Sequence, residues 1–268
     1  MTDELKHFFE SEGIEYYAVL PYSAVREINP ALAARSGVMP GSVIIFLLPY
    51  YTAEADNLSV YSASRDYHIV IREVTGRLIA RLSELFPDST SRGFGDHSPI
   101  DEIDAALTAR LGILGDSGLL INERYGTYVF VADVLTDIPP EVLGASEPKA
   151  HLTCEHCGAC AAACPTGILR GESEECLSAI TQRKGELTDE EVSLMRECNT
   201  VWGCDVCQRV CPHNADPLQT PLAFFHEGRL QRLTSEILDA MSDEEFKQRA
   251  FAWRGRKTVE RNLKLLDM

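Results

Sequence analysis

"CEHCGACAAACPTG", residues 154–167, sets Cys154, Cys157, Cys160 and Cys164 at the spacing C-x2-C-x2-C-x3-C, with Pro165 directly after. Three closely spaced thiolates can cap one iron–sulfur cube while the fourth reaches a second cube, as in bacterial two-cluster ferredoxins. Gly158 with the small residues Ala159, Ala161, Ala162 and Ala163 leaves room around such a cube. Zinc is the plainer alternative, but a zinc site needs only four ligands, commonly in two short pairs.

Residues 198–214, "CNTVWGCDVCQRVCPHN", read as an altered second copy in which Val201 stands where the first cysteine belongs. Cys204, Cys207 and Cys211 precede Pro212. By the crossed pattern, Cys211 joins Cys154, Cys157 and Cys160 on one cube, while Cys164, Cys204 and Cys207 need one more ligand for the other. Cys198 lies six residues before Cys204, and Cys176 lies twelve after Cys164 on a predicted helix "EECLSAITQRKG". Spacing leaves both open. Two cubes that share loops would sit within electron-transfer distance, so one-electron transport is the function read from these residues.

The rest of the chain sets the context. All nine cysteines lie beyond residue 153, which favours metal ligation in a reducing compartment over a disulfide framework. No run of about 18 apolar residues exists, and "MTDELKHFFESEG" is acidic where a secretory signal would be basic, so a soluble cytoplasmic protein with no membrane association is expected. The net charge of −16 disfavours nonspecific binding to nucleic acid or anionic membrane. Residues 247–264 run against it, with Lys247, Arg249, Arg254, Arg256, Lys257, Arg261 and Lys264 against the one acid Glu260. That stretch is either a solvated helix face or a local anion or RNA contact.

Residues 1–150 read as an α/β unit: a helix near 3–12, a buried strand at 42–51, an amphipathic helix from about 61 to 85, and a helix "DEIDAALTARLG" closed by Gly112. Two strands follow within 118–135, around an "NERYG" turn. The Pro-rich stretch 137–151 marks a boundary, 151–225 forms the cysteine unit, and 226–268 is a helical tail. A two-cluster ferredoxin accounts for only part of this length, so the remainder must bind a partner, a cofactor or a substrate.

The cysteine unit resembles the epoxyqueuosine reductase family, cobalamin-dependent iron–sulfur enzymes of queuosine biosynthesis in tRNA. The likeness extends to "SVYSASRDYHIVI" (59–71), "GDHSPIDE" (95–102), "LINERYGTYVFVADVLTD" (120–137) and "DEEFKQRAFAWRGRKTVERNL" (243–263). The resemblance implies an α+β fold: an N-terminal α/β cobalamin-binding-type domain, a bacterial-ferredoxin-like double [4Fe–4S] domain and a short helical tail. It implies reductive deoxygenation driven by a corrinoid that the clusters reduce, with Asp96 as proton donor; a helix N-cap role is the alternative for this acid. It places Tyr67, His68, Asp96, Ser117 and Ser178 around the cofactor. It also chooses Cys176, from a segment matching "ECLSAI", as the fourth ligand with Cys164, Cys204 and Cys207.

A donor of flavodoxin or ferredoxin type would supply electrons, and tRNA is the implied substrate partner. "TQRKG" (181–185) resembles the family's basic loop near the RNA. The loop "RLGILGDSG" (110–118) departs from the family's "GLGWIGKN": Ile113 stands for Trp, Asp116 for Lys and Ser117 for Asn. The chain also matches a short form without the C-terminal helical repeats of many members. The rival reading is a ferredoxin-like electron-transfer protein whose N-terminal domain docks a partner without cobalamin.

Overall fold

In the computed structural model, residues 2–169 and 174–267 are described. Four strands, β1 (Tyr17–Pro21), β2 (Ser42–Pro49), β3 (Ser91–Gly95) and β6 (Val129–Thr136), form one antiparallel sheet in the order β1-β2-β6-β3. The two-residue strands β4 (Ile113–Leu114) and β5 (Leu120–Ile121) pair separately. The expected α+β class holds. Every residue of β2 is buried, which follows from helices covering both sheet faces. Ile44, Phe46 and Leu48 meet helices Thr2–Ser11 and Tyr67–Leu85 through Leu5, Phe9, Val74 and Leu78. Val43, Ile45 and Leu47 meet helix Glu102–Thr108 through Ala105 and Ala106. At Gly95 a Cβ would come within 2.7 Å of Ile71 Cδ1, so only glycine lets helix Tyr67–Leu85 lie this close to β3.

Two expected helices differ. The 61–85 stretch divides into Val60–Ala63 and Tyr67–Leu85. Between them, Ser64 Oγ donates to Phe225 O and Asp66 N to Gln248 O, so tertiary hydrogen bonds draw the backbone out of the helix, and Asp66 caps the second piece by accepting from His68 N. Helix Glu102–Thr108 stops short of Gly112, because Arg110 rather than glycine takes the left-handed turn at φ 58°.

The cysteine region is built of short helices, among them Ala159–Ala163, Leu177–Gln182, Asp189–Glu197 and Val206–Arg209. A third apolar cluster joins Leu58 and Ala63, Val201 and Trp202, and Leu238, Phe251, Val259 and Leu263. The last two lie on the final helix, Arg256–Asp267. No described helix is long and apolar enough to cross a membrane.

Candidate functional site

The sheet itself makes the opening. β3 ends at Gly95 opposite Ala132, while β6 begins three residues earlier at Val129, so 129–131 have no β3 partner. A cavity of about 640 Å³ occupies this place, with Tyr61, Tyr67, His68, Asp96, Phe130 and Trp253 among its lining. Phe130 stacks on Tyr67 at 4.0 Å between ring centres. Trp253, 61% exposed, stands at the rim.

Asp96 directly follows β3 with φ 64°, a left-handed conformation uncommon outside glycine. Its Oδ2 accepts the Tyr67 hydroxyl at 2.9 Å and lies 3.5 Å from His68 Nε2. His68 Nδ1 is 2.8 Å from Asp66 Oδ1. Hydrogen bonds to Asp66 and Asp96 raise the His68 imidazole to about 9, so at neutral pH it is an imidazolium between two carboxylates. In return His68, followed by Tyr67, holds the Asp96 carboxyl below its ordinary range against the opposing effect of burial. Burial and then the Asp96 charge push the Tyr67 hydroxyl up, so Tyr67 remains a donor. The alternative helix N-cap role for Asp96 belongs to Asp101, which accepts from Asp104 N.

A second cavity of about 260 Å³ shares Tyr50, Tyr61 and Leu119 with the first. Cys164, Cys176, Cys204 and Cys207 line it, together with Ser117 and Ser178. Gln182 Nε2 reaches both the Tyr61 hydroxyl at 3.4 Å and Ser178 Oγ at 3.2 Å, so one side chain touches the walls of both cavities. The Cys211 thiol is pushed up first by burial and then by Cys160, Cys157 and Cys154, its neighbours from the first motif. Cys198 lies off the second cavity; with Cys204 it packs against Leu177, Ile180 and Met195.

Val201, in the position of the missing cysteine, is fully buried, and its N–H donates to Asn57 O at 2.7 Å. Asn262 Nδ2 on the final helix donates to both Thr181 O and Val201 O, and Gly203 N donates to Thr181 Oγ1. Gly203 has φ 77°, and a Cβ there would lie 2.1 Å from Ser59 Oγ. The altered loop is tied in as well: Cys154 N donates to Leu114 O, and Asp116 Oδ1 pairs with His156 Nδ1 at 2.8 Å.

Arg254, whose guanidinium lies 3.8 Å over the Trp253 ring, also lines a recess of about 510 Å³ with Lys184, Arg256, Lys257 and Arg261, and no carboxylate is among its described lining residues. Arg256 and Arg261 are already bonded to backbone carbonyls, whereas Arg254 Nε is buried without a partner.

The sequence motifs missed several lining residues, including Tyr61, Gln182, Trp253 and Glu102. Trp253 and Tyr61 carried only the weak signal of aromatics inside matched stretches, and Glu102 stood at the end of "GDHSPIDE" (95–102) without being singled out.

Residues 36–97 match the family model described as Epoxyqueuosine reductase QueG, DUF1730, and residues 153–214 match the 4Fe-4S double cluster binding domain. The epoxyqueuosine reductase of Listeria monocytogenes is 29% identical over 282 residues, 96% of this chain and 71% of that protein. That of Staphylococcus aureus is 32% identical over 209 residues, 75% of this chain and 53% of the relative. The chain thus spans between about half and seven-tenths of these relatives. A crystal structure of selenomethionine-labelled epoxyqueuosine reductase superposes with a TM-score of 0.78 at 25% identity, covering 98% of this chain and 80% of that one. A reductive dehalogenase described with a mechanism for B12-dependent dehalogenation shares the fold at a TM-score of 0.50 and 16% identity, over 78% of this chain and 31% of that one.

Proposed function

We propose, for a chain that belongs to the epoxyqueuosine reductase family, that it is an oxidoreductase using two [4Fe–4S] clusters and a corrinoid to remove oxygen from epoxyqueuosine in tRNA or a related substrate. The observation that carries this reading is the shared wall of Tyr50, Tyr61 and Leu119, which puts the cysteine-lined cavity back to back with the cavity holding His68 and Asp96.

The residues fit the groups. Cys164, Cys176, Cys204 and Cys207 would hold the inner cube and Cys154, Cys157, Cys160 and Cys211 the outer one, beside the exposed Cys157 where an external donor of flavodoxin or ferredoxin type would deliver electrons. A corrinoid would lie against the aromatic faces of Tyr61, Tyr67 and Phe130, with Ser117 and Ser178 toward the cluster side. When bound, it supplies a metal centre able to deliver an electron pair to a carbon–oxygen bond.

The chain's own residues then manage the protons. His68 stores one at neutral pH, and Asp96, which lines the cavity with it, lies 3.5 Å from its Nε2, so a proton can pass from His68 Nε2 through the Asp96 carboxyl to a departing oxygen. Tyr67 fixes the Asp96 oxygen through its hydrogen bond. Trp253 offers a stacking face, and the cation-lined recess beside it suits phosphates of an RNA strand despite the acidic chain.

Anaerobically reconstituted protein should bind cobalamin at micromolar concentration, seen as a change in its absorption spectrum, and should convert an epoxyqueuosine-containing stem loop. Failure to bind cobalamin would favour the second reading, electron transfer to a docked partner. The Asp116–His156 pair, which commits the altered 110–118 loop to the cysteine region, is the observation on that side.

A further inference from the structure

Deoxygenation of an epoxide is balanced only with two protons: two electrons and two protons convert the bridging oxygen to water and leave a carbon–carbon double bond. The His68–Asp96 pair holds one of them. A second acid is therefore required at the cavity.

Glu102 lines the cavity at the start of helix Glu102–Thr108, and its Oε1 accepts the Asp96 N–H at 3.2 Å. Its carboxyl thus braces the peptide of the residue that adopts the left-handed turn. Deeper in the sheet, Val129, Val131 and Asp133 form one alternating row of β6, in which both valines line the cavity and Asp133 is the next residue inward. Asp133 is fully buried, opposite Ile45 on β2 and Phe94 on β3, and neither of its carboxyl oxygens has a hydrogen-bond partner. An ionised carboxylate is strongly disfavoured in such a place, whereas a neutral acid is tolerated.

We propose that Glu102 is the second acid of the cavity and that Asp133, buried behind the cavity wall, keeps it protonated. The proposal rests on the deoxygenation reading above. As the second carbon–oxygen bond breaks, the Glu102 carboxyl gives its proton to the leaving oxygen and becomes a carboxylate, and His68 through Asp96 supplies the other proton, while a bound corrinoid would supply the electron pair. Burial first, then the charge that Asp133 on β6 carries once it ionises, then Asp96 in the turn after β3 and Asp101 beside it oppose ionisation of Glu102 and push it up to about 9, against the lowering effect of the Asp96 N–H that it accepts. Burial pushes Asp133 up to about 7, with the nearby Ser98 hydroxyl acting in the lowering direction without meeting hydrogen-bond geometry. Across the cavity His68 and Tyr67 are engaged with Asp96.

The test is infrared spectroscopy of the cluster-loaded protein without substrate, combined with turnover. Glu102→Gln keeps an acceptor for the Asp96 N–H and removes only the acid proton. The unaltered protein should show a neutral carboxylic acid band at pH 8, above the Asp133 value and below that of Glu102, that Glu102→Gln removes, and Asp133→Asn should lower the pH at which that band disappears. Glu102→Gln should retain its iron and its cobalamin affinity while turnover falls about 10²-fold. An unaltered protein lacking the band, a band untouched by Glu102→Gln, or a variant with full turnover would overturn the proposal. Should Glu102→Gln fail to fold, the Asp133→Asn band shift decides, and its absence overturns the proposal. A band that behaves as expected in a protein that binds no cobalamin would instead overturn the deoxygenation reading while leaving the acid pair in place.

Discussion

β2 and the first cysteine loop are held by opposite means. All eight residues of β2 are buried between helices, whereas no residue from 151 to 169 is buried and every cysteine in the chain keeps some exposure. The sheet contains its own reasons to fold. The first cysteine loop has a few backbone ties, such as Cys154 N to Leu114 O, and for the rest depends on what its thiolates bind. The difference teaches that the sheet and the first cysteine loop are stabilised by separate kinds of energy, so the loop can be attacked while the sheet stands.

The sharpest way to break that contrast is to remove a ligand. Cys176→Ala should lose half of the bound iron, measured by iron analysis and electron paramagnetic resonance, while hydrogen exchange of β2 stays slow; Cys198→Ala should retain all of it. Iron lost from Cys198→Ala and kept in Cys176→Ala would reassign the fourth ligand. Next in size, Phe46→Ala in the middle of β2 should cost about 3–5 kcal/mol of unfolding free energy. The cluster spectrum of the folded fraction should be unchanged, and spectral loss at low denaturant would mean the two parts are not separate.

At the junction, Asp96→Asn should lower turnover about 10²-fold with iron and cobalamin binding intact, and full activity would remove Asp96 from the proton path. Turnover should also decline as pH rises through about 9, where His68 loses its proton. The linked stability has the same sign: because the folded-state value is raised, the His68 contribution is present below its unfolded value and disappears as pH climbs through the folded one. The smallest effect belongs to the periphery. Lys257→Ala should weaken binding of a stem loop and reduce the slope of its salt dependence by about one, with no change in either cluster.

The legibility of these parts followed the range of the forces involved. The thiolates that one loop presents are closely spaced in sequence, so the two motifs could be read directly, and the continuous apolar run of β2 announced a strand covered on both faces. The break at Ser64–Asp66 was invisible because its cause lies at Phe225 and Gln248, far along the chain. Asp133 was hidden for a different reason: in "TYVFVADV" the alternation that marks a strand gives no sign that the polar residue takes a buried position. Tyr67, His68 and Asp96 were found only through family likeness, and it is the fold that brings Asp96 against the other two.

The early end of β3 has a consequence for how such a protein can be altered. Three residues of β6 paired with β2 but not with β3 correspond to a gap about 10 Å long on the β3 side, at roughly 3.4 Å per residue. Strand length is thus a ruler for the cavity: extending β3 past Gly95 would shorten the gap and trimming it would lengthen the gap, without replacing a single acid, thiol or aromatic ring. Selection, or an engineer, could resize the chamber by moving the point where a ladder of backbone hydrogen bonds stops.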